Sequence, residues 1–112
     1  MLIYKILTTE QWTDLERLGE TRGAPVDMAD GFIHFSTAAQ IEETATKHFS
    51  GQSGLWLAAF DADAMGAALK WEPSRGGALF PHLYAPLRST DVLWIHEMPL
   101  GPDGHQFPDE VT

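Results

Sequence analysis

Two periods of hydrophobic spacing alternate along this chain, and each change of period marks an element. Residues 2–7, LIYKIL, are rich in β-formers and predict a strand. In the next stretch, TTEQWTDLERLG, Trp12, Leu15 and Leu18 recur every three residues and share one helical face. Thr8 with Gln11 three residues on has the form of a capping box, and Gly19 fits the position just past the helix end. Residues 20–30, ETRGAPVDMAD, combine Gly, Pro and polar residues and predict a loop. GFIHFS alternates, with Phe32, His34 and Ser36 on one face and Ile33 and Phe35 on the other. STAAQIEETATKHFSG returns to the helical period. Ala38, Ile41, Ala45 and Phe49 form its apolar stripe, Thr37 and Gln40 a second capping box, and Gly51 its stop.

The second half is mostly strand-like. GLWLAAFD, residues 54–61, is apolar without a break and suits a strand covered on both faces. ADAMGAA is compatible with a short helical turn or a loop. LKWEP alternates, and SRGG predicts a turn. ALFPHLYAPL has β-forming residues, but Pro81 and Pro86 cannot donate to a ladder. An edge or irregular strand, or a loop with extended ends, is expected there. DVLWIHEM predicts a last strand. The order of strand, helix, strand, helix and then several strands predicts an α+β fold. Its sheet is expected to be curved and mixed or antiparallel, with two main helices near the N-terminus. The length predicts a single domain over residues 1–112, with about 101–112 as a polar tail expected to be mobile.

Composition narrows the setting. There is no cysteine, which excludes disulfides, zinc–thiolate sites and a Cys nucleophile and favours a reducing, cytoplasmic compartment. The net charge of −9 and the scattering of seven basic residues, no two of them adjacent, argue against nucleic-acid and membrane partners. No apolar run is long enough to span a bilayer, and MLIYKILTTEQW lacks the basic leader and cleavage site of a signal peptide. None of the five histidines pairs with another at a ligand-like spacing, so no metal site is expected. Phosphate-loop, dinucleotide-fingerprint and Gly-x-Ser-x-Gly patterns are all absent.

Two segments carry the candidate chemistry. In GFIHFST, His34 and Ser36 share a strand face that runs into a helix start, where unpaired N–H groups attract anions. The alternative is a half-buried histidine bonded to backbone. In LFPHLYAPL, flanking prolines stiffen a segment that presents His82 and Tyr84. The alternative is an edge strand protected against aggregation.

The segments YKILTTEQW, GFIHFST, KWEP and LFPHLYAPL, in this order, resemble a bacterial family known as domain of unknown function 952. That family is similar in fold to the ADP-ribosyltransferase superfamily, in which a split, curved sheet grips NAD in a cleft. The resemblance implies a small-molecule nucleotide such as NAD as ligand. Lys5, Thr8, Arg22, His34, Ser36, Thr37 and Tyr84 are then the cofactor-binding set, with Arg88 a further phosphate contact. His34, His82 and Glu72 are the catalytic set. Superfamily enzymes place a Glu late in the chain, whereas this chain has FPHLY there, and Glu72 and Glu97 are the nearest acids. Lys5 stands where many members of the family have His. Besides an enzyme acting on NAD, the sequence is compatible with a non-catalytic nucleotide-binding module or a protein-interaction domain.

Overall fold

Strand β1 (Leu2–Thr8) pairs along its whole length with β4 (Leu55–Asp61), and β4 pairs on its other side with β8 (Trp94–Glu97). All pairings are antiparallel. The computed structural model describes residues 1–111, the side chain of Arg75 excepted. The central place of β4 explains its unbroken apolar run: Leu57, Ala58, Ala59 and Phe60 are fully buried, on alternating faces. Ile3, Leu7, Ala58 and Phe60 join one apolar cluster with Leu15, Ile33, Phe35, Leu83 and Leu87. Tyr4, Ile6, Leu55, Leu57 and Ala59 join another with Ile41, Ala45 and Met98. Each large side chain enclosed this way contributes roughly 1.5–3 kcal/mol.

Helix α1 (Thr9–Leu18) begins at the expected capping box. Thr8 accepts the N–H of Gln11, the Gln11 side chain accepts that of Thr8, and Gly19 closes the helix at φ 81°. Leu15 is buried and Trp12 packs on the core, but Leu18, expected on the same stripe, is exposed.

The stretch 20–30 is not the expected loop. It opens with β2 (Glu20–Thr21) and holds a short helix, α2 (Pro25–Asp30), so the first half has three helices rather than two. Pro25 supplies the fixed φ of a first helical position. The Asp27 carboxylate accepts the Ala24 N–H at 2.7 Å, and Gly31 ends the helix at φ 86°.

Strand β3 covers only Ile33–His34. The chain then crosses between sheets, where Ser36 and Tyr4 exchange backbone hydrogen bonds of 2.8 and 2.9 Å. The second sheet runs β3-β6-β5, from β5 (Leu69–Pro73) and β6 (Leu79–Leu83). Here β6 is the central strand, not the edge or irregular segment its prolines suggested. The N–H of Phe35 donates to the Pro81 carbonyl at 3.0 Å, and a residue of an antiparallel ladder directs its N–H and C=O to one side. The missing Pro81 N–H therefore falls on the β3 side, where that pairing ends.

Helix α3 (Ile41–Phe49) starts later than expected, because Thr37 lies in the turn before it. The Thr37 N–H donates to the Gln40 side chain, and its carbonyl accepts from Gln40 and Ile41. Ile41 and Ala45 are buried as the stripe predicts. Residues 63–68 form a 3-10 turn. β7 (Leu87–Arg88) pairs with β2, and β9 (Leu100–Gly101) with β10 (Gly104–His105). Phe107 and Val111, in the tail, pack on the second apolar cluster. The whole is a mixed α+β fold with antiparallel sheets and few helices. No helix among the described residues is long and apolar enough to cross a membrane.

Candidate functional site

The alternation of β1 puts Lys5 on the face of Ile3 and Leu7, an apolar setting in which an ammonium needs a partner. That partner is Asp27, whose side chain is fully buried and stands 3.0 Å from Lys5 Nζ. Lys5 also donates to the His34 carbonyl at 3.0 Å. Asp27 further receives the His34 N–H at 3.1 Å and His34 Nδ1 at 2.6 Å. Burial by itself raises a carboxyl pKa. Here the His34 hydrogen bonds, the Lys5 charge and the Ala24 N–H outweigh it and bring Asp27 down to about 2. Burial in turn pushes the Lys5 ammonium below its ordinary value against the pull of Asp27. The second ring nitrogen of His34, Nε2, meets Asp30 at 2.9 Å.

The antiparallel register of β3 and β6 places His82 directly opposite His34, with ring centroids 5.4 Å apart. Phe32 stacks on His82 at 4.1 Å and touches the rings of His34 and Tyr84. Across the β5–β6 pair, one Glu72 oxygen takes His82 Nδ1 at 2.9 Å and the Tyr84 hydroxyl at 2.7 Å. Those bonds, Tyr84's first, hold Glu72 below the usual carboxylate range, and the same carboxylate raises the Tyr84 phenol.

Lys5, His34, Ser36 and His82 all line one cleft of about 600 Å³, with Tyr4, Ile6, Phe35, Ile41 and Phe80 among its apolar walls. That volume is ordinary for a small-molecule site. The Ser36 hydroxyl hydrogen-bonds with that of Thr44 at 2.8 Å. One wall is the open edge of β1. Thr9 donates to Gly54 and Met1 accepts from Ala62, so odd-numbered residues of β1 bond toward β4. Even-numbered ones face outward. Tyr4 there meets Ser36, while no described residue bonds the N–H and C=O of Ile6, which lies on the cleft.

A family model described as Protein of unknown function (DUF952) matches residues 6–95. The chain belongs to the DUF952 family. It is similar to the crystal structure of protein CC0527 from Caulobacter crescentus, with 48% identity, a TM-score of 0.91, and coverage of 95% of this chain and 94% of that one. A double mutant of the same protein matches equally. Its solution NMR structure matches at 49% identity and TM-score 0.84, covering 93% and 90%. No curated protein matches.

In this DUF952 chain some expected site residues lie outside the cleft. Thr8 is occupied as the cap of α1, and Thr37 serves the turn before α3. Arg22 lines a separate hollow of about 310 Å³ beyond Phe32, shared with Tyr84. Arg88 lies on β7, opposite Glu20, and lines neither hollow. Glu72 reaches the cleft only through His82. Two of the three donor positions of Lys5 are taken inside the protein. The residue that sequence reasoning missed is Asp27, the hub of the network. A signal existed: Ala24-Pro25-Val26-Asp27 has Pro at a first helical position and an acid two residues later, followed by Gly31.

Proposed function

We propose that the cleft binds a nucleotide of the NAD class by its nicotinamide-ribose end, and that the protein is an ADP-ribosyltransferase-like binder or processor of such nucleotides. The observation that carries this reading is the outward peptide edge of Ile6, a cleft-lining residue, which no described residue bonds. A buried donor and acceptor side by side match a planar carboxamide, which offers the complementary pair. The flat apolar walls suit the ring that bears it. The two sheets meeting at the Tyr4–Ser36 bridge, with the cleft over the joint, support the split-sheet analogy. With Lys5 tied to Asp27, the site favours the nucleoside end over the phosphates.

Calorimetric titration with NAD, ADP-ribose and nicotinamide tests this. NAD and nicotinamide are expected to bind. Ile6→Pro, which removes the outward N–H at a position where a strand edge tolerates proline, should weaken both by about tenfold, the value of one hydrogen bond. His82→Asn should also weaken NAD. Absence of heat from all three compounds overturns the proposal. Heat from ADP-ribose alone shifts the contact away from the amide edge.

A further inference from the structure

We infer that His82 is a proton acceptor in this cleft, held in its working tautomer by Glu72, and that Tyr84 holds Glu72. The inference rests on the nucleotide reading above. Glu72 is a carboxylate and can only accept, so the proton between it and His82 sits on Nδ1. In the neutral ring that leaves Nε2 with its lone pair. Among the described residues, the Tyr4 hydroxyl is the one side-chain polar atom that is both sealed from solvent and unpartnered. No described residue bonds Nε2 of His82, which is not sealed in the way of that hydroxyl, and His82 lines the cleft. His34, beside it on the paired strand, has both nitrogens occupied and cannot take this part without breaking a bond. The geometry is that of a base oriented by a carboxylate through its other ring nitrogen. Here the orienting acid is itself pinned by a phenol at 2.7 Å, and Phe32 fixes the ring plane by stacking.

The chemistry assigned is activation of a hydroxyl nucleophile, water or an acceptor alcohol, against the anomeric carbon of the bound ribose. The O–H proton passes to Nε2 as the new C–O bond forms. The C–N bond to nicotinamide breaks, its electron pair stays with the ring nitrogen, and nicotinamide leaves neutral. His82 is the catalytic residue; Glu72 and Tyr84 are positioning residues.

Nitrogen-15 NMR of histidine-labelled protein reads the tautomer directly, without turnover. The wild type should show His82 protonated on Nδ1 and bare on Nε2, and Glu72→Ala should convert it to a mixture or to the opposite form. A wild-type His82 protonated on Nε2 when neutral overturns the inference. Nicotinamide release from NAD, followed by chromatography, gives the second arm. His82→Asn should lower kcat by about 10²–10⁴, and Glu72→Ala by a smaller factor, each with KM changed less than kcat. NAD binding by calorimetry with no release over long incubation, or release within threefold of wild type in His82→Asn, overturns the inference and leaves the binding reading standing. Failure of every nucleotide to bind overturns the binding reading instead.

Discussion

Two imidazoles lie side by side on paired strands and line the same cleft, and their surroundings differ in kind. His34 has a carboxylate on each ring nitrogen, and its backbone N–H and carbonyl are also engaged, by Asp27 and Lys5. His82 has one carboxylate, on Nδ1, whose same oxygen also takes Tyr84 and whose side chain is partly exposed. The first side is a saturated network around a buried ion pair. The second is an oriented ring with one nitrogen to spare. A network whose histidine is bonded at both nitrogens stabilises and positions, and that ring has no free nitrogen to offer a substrate; a ring bonded at one nitrogen can exchange a proton. The two neighbouring histidines thus divide structure from chemistry, although the sequence presents them as similar motifs.

The sharpest way to break this contrast is to remove Asp27. In Asp27→Ala the Lys5 ammonium stays buried without its counter-charge, and the expected loss is about 3–5 kcal/mol of unfolding free energy, read from urea denaturation. Lys5→Met leaves Asp27 its bonds from His34 and Ala24 and should cost less, about 1.5–3 kcal/mol. A loss below 1 kcal/mol in Asp27→Ala would mean that the buried side is not the structural one.

The same carboxylate makes a pH prediction of smaller size. Its folded pKa, about 2, lies below the ordinary 3.8. Between those values the unfolded chain binds the proton more readily, so acid favours unfolding. The contribution is fully present above the ordinary value, amounts to about 2 kcal/mol, and is lost as pH falls toward 2. Urea midpoints measured from pH 5 down to 2 should fall more steeply in the wild type than in Asp27→Asn. Parallel curves would contradict it.

The side that holds the fold was the harder one to see in the sequence. GFIHFST and LFPHLYAPL drew attention to His34 and His82, and the alternation of β3 correctly joined Phe32 to His34. Asp27 lay in a stretch that combines Gly, Pro and polar residues, where composition argues for a loop. Its partner Lys5 is 29 residues from the His34 carbonyl it bonds, a separation at which periodicity carries no information. The place of β6 was obscured for a related reason. Pro81 excludes a ladder bond on one side only, and which side depends on where β3 ends, a property of two strands together. The apolar run of β4 and the capping box of α1 were legible because their causes are local or compositional.

Glu72→Gln sharpens the contrast from the other side. Glu72 is partly exposed and its bonds tie side chains of adjacent strands, so the urea midpoint should not move measurably. Only the tautomer of His82 and nicotinamide release should respond.

The smallest expected effect concerns Tyr4, whose hydroxyl is sealed and has no partner among the described residues, near the junction of the two sheets. Its ring packs on Trp94 at 5.8 Å, so Tyr4→Phe keeps the packing and removes only the oxygen. A buried hydroxyl without a partner has lost its water and gained nothing in return. Deleting it should therefore stabilise the protein by about 1 kcal/mol, measured by thermal or urea unfolding. If the variant is instead destabilised by a similar amount, the oxygen holds an ordered water. The cleft then has a third polar feature, belonging to neither imidazole, and the division between a saturated side and an open one would need redrawing around it.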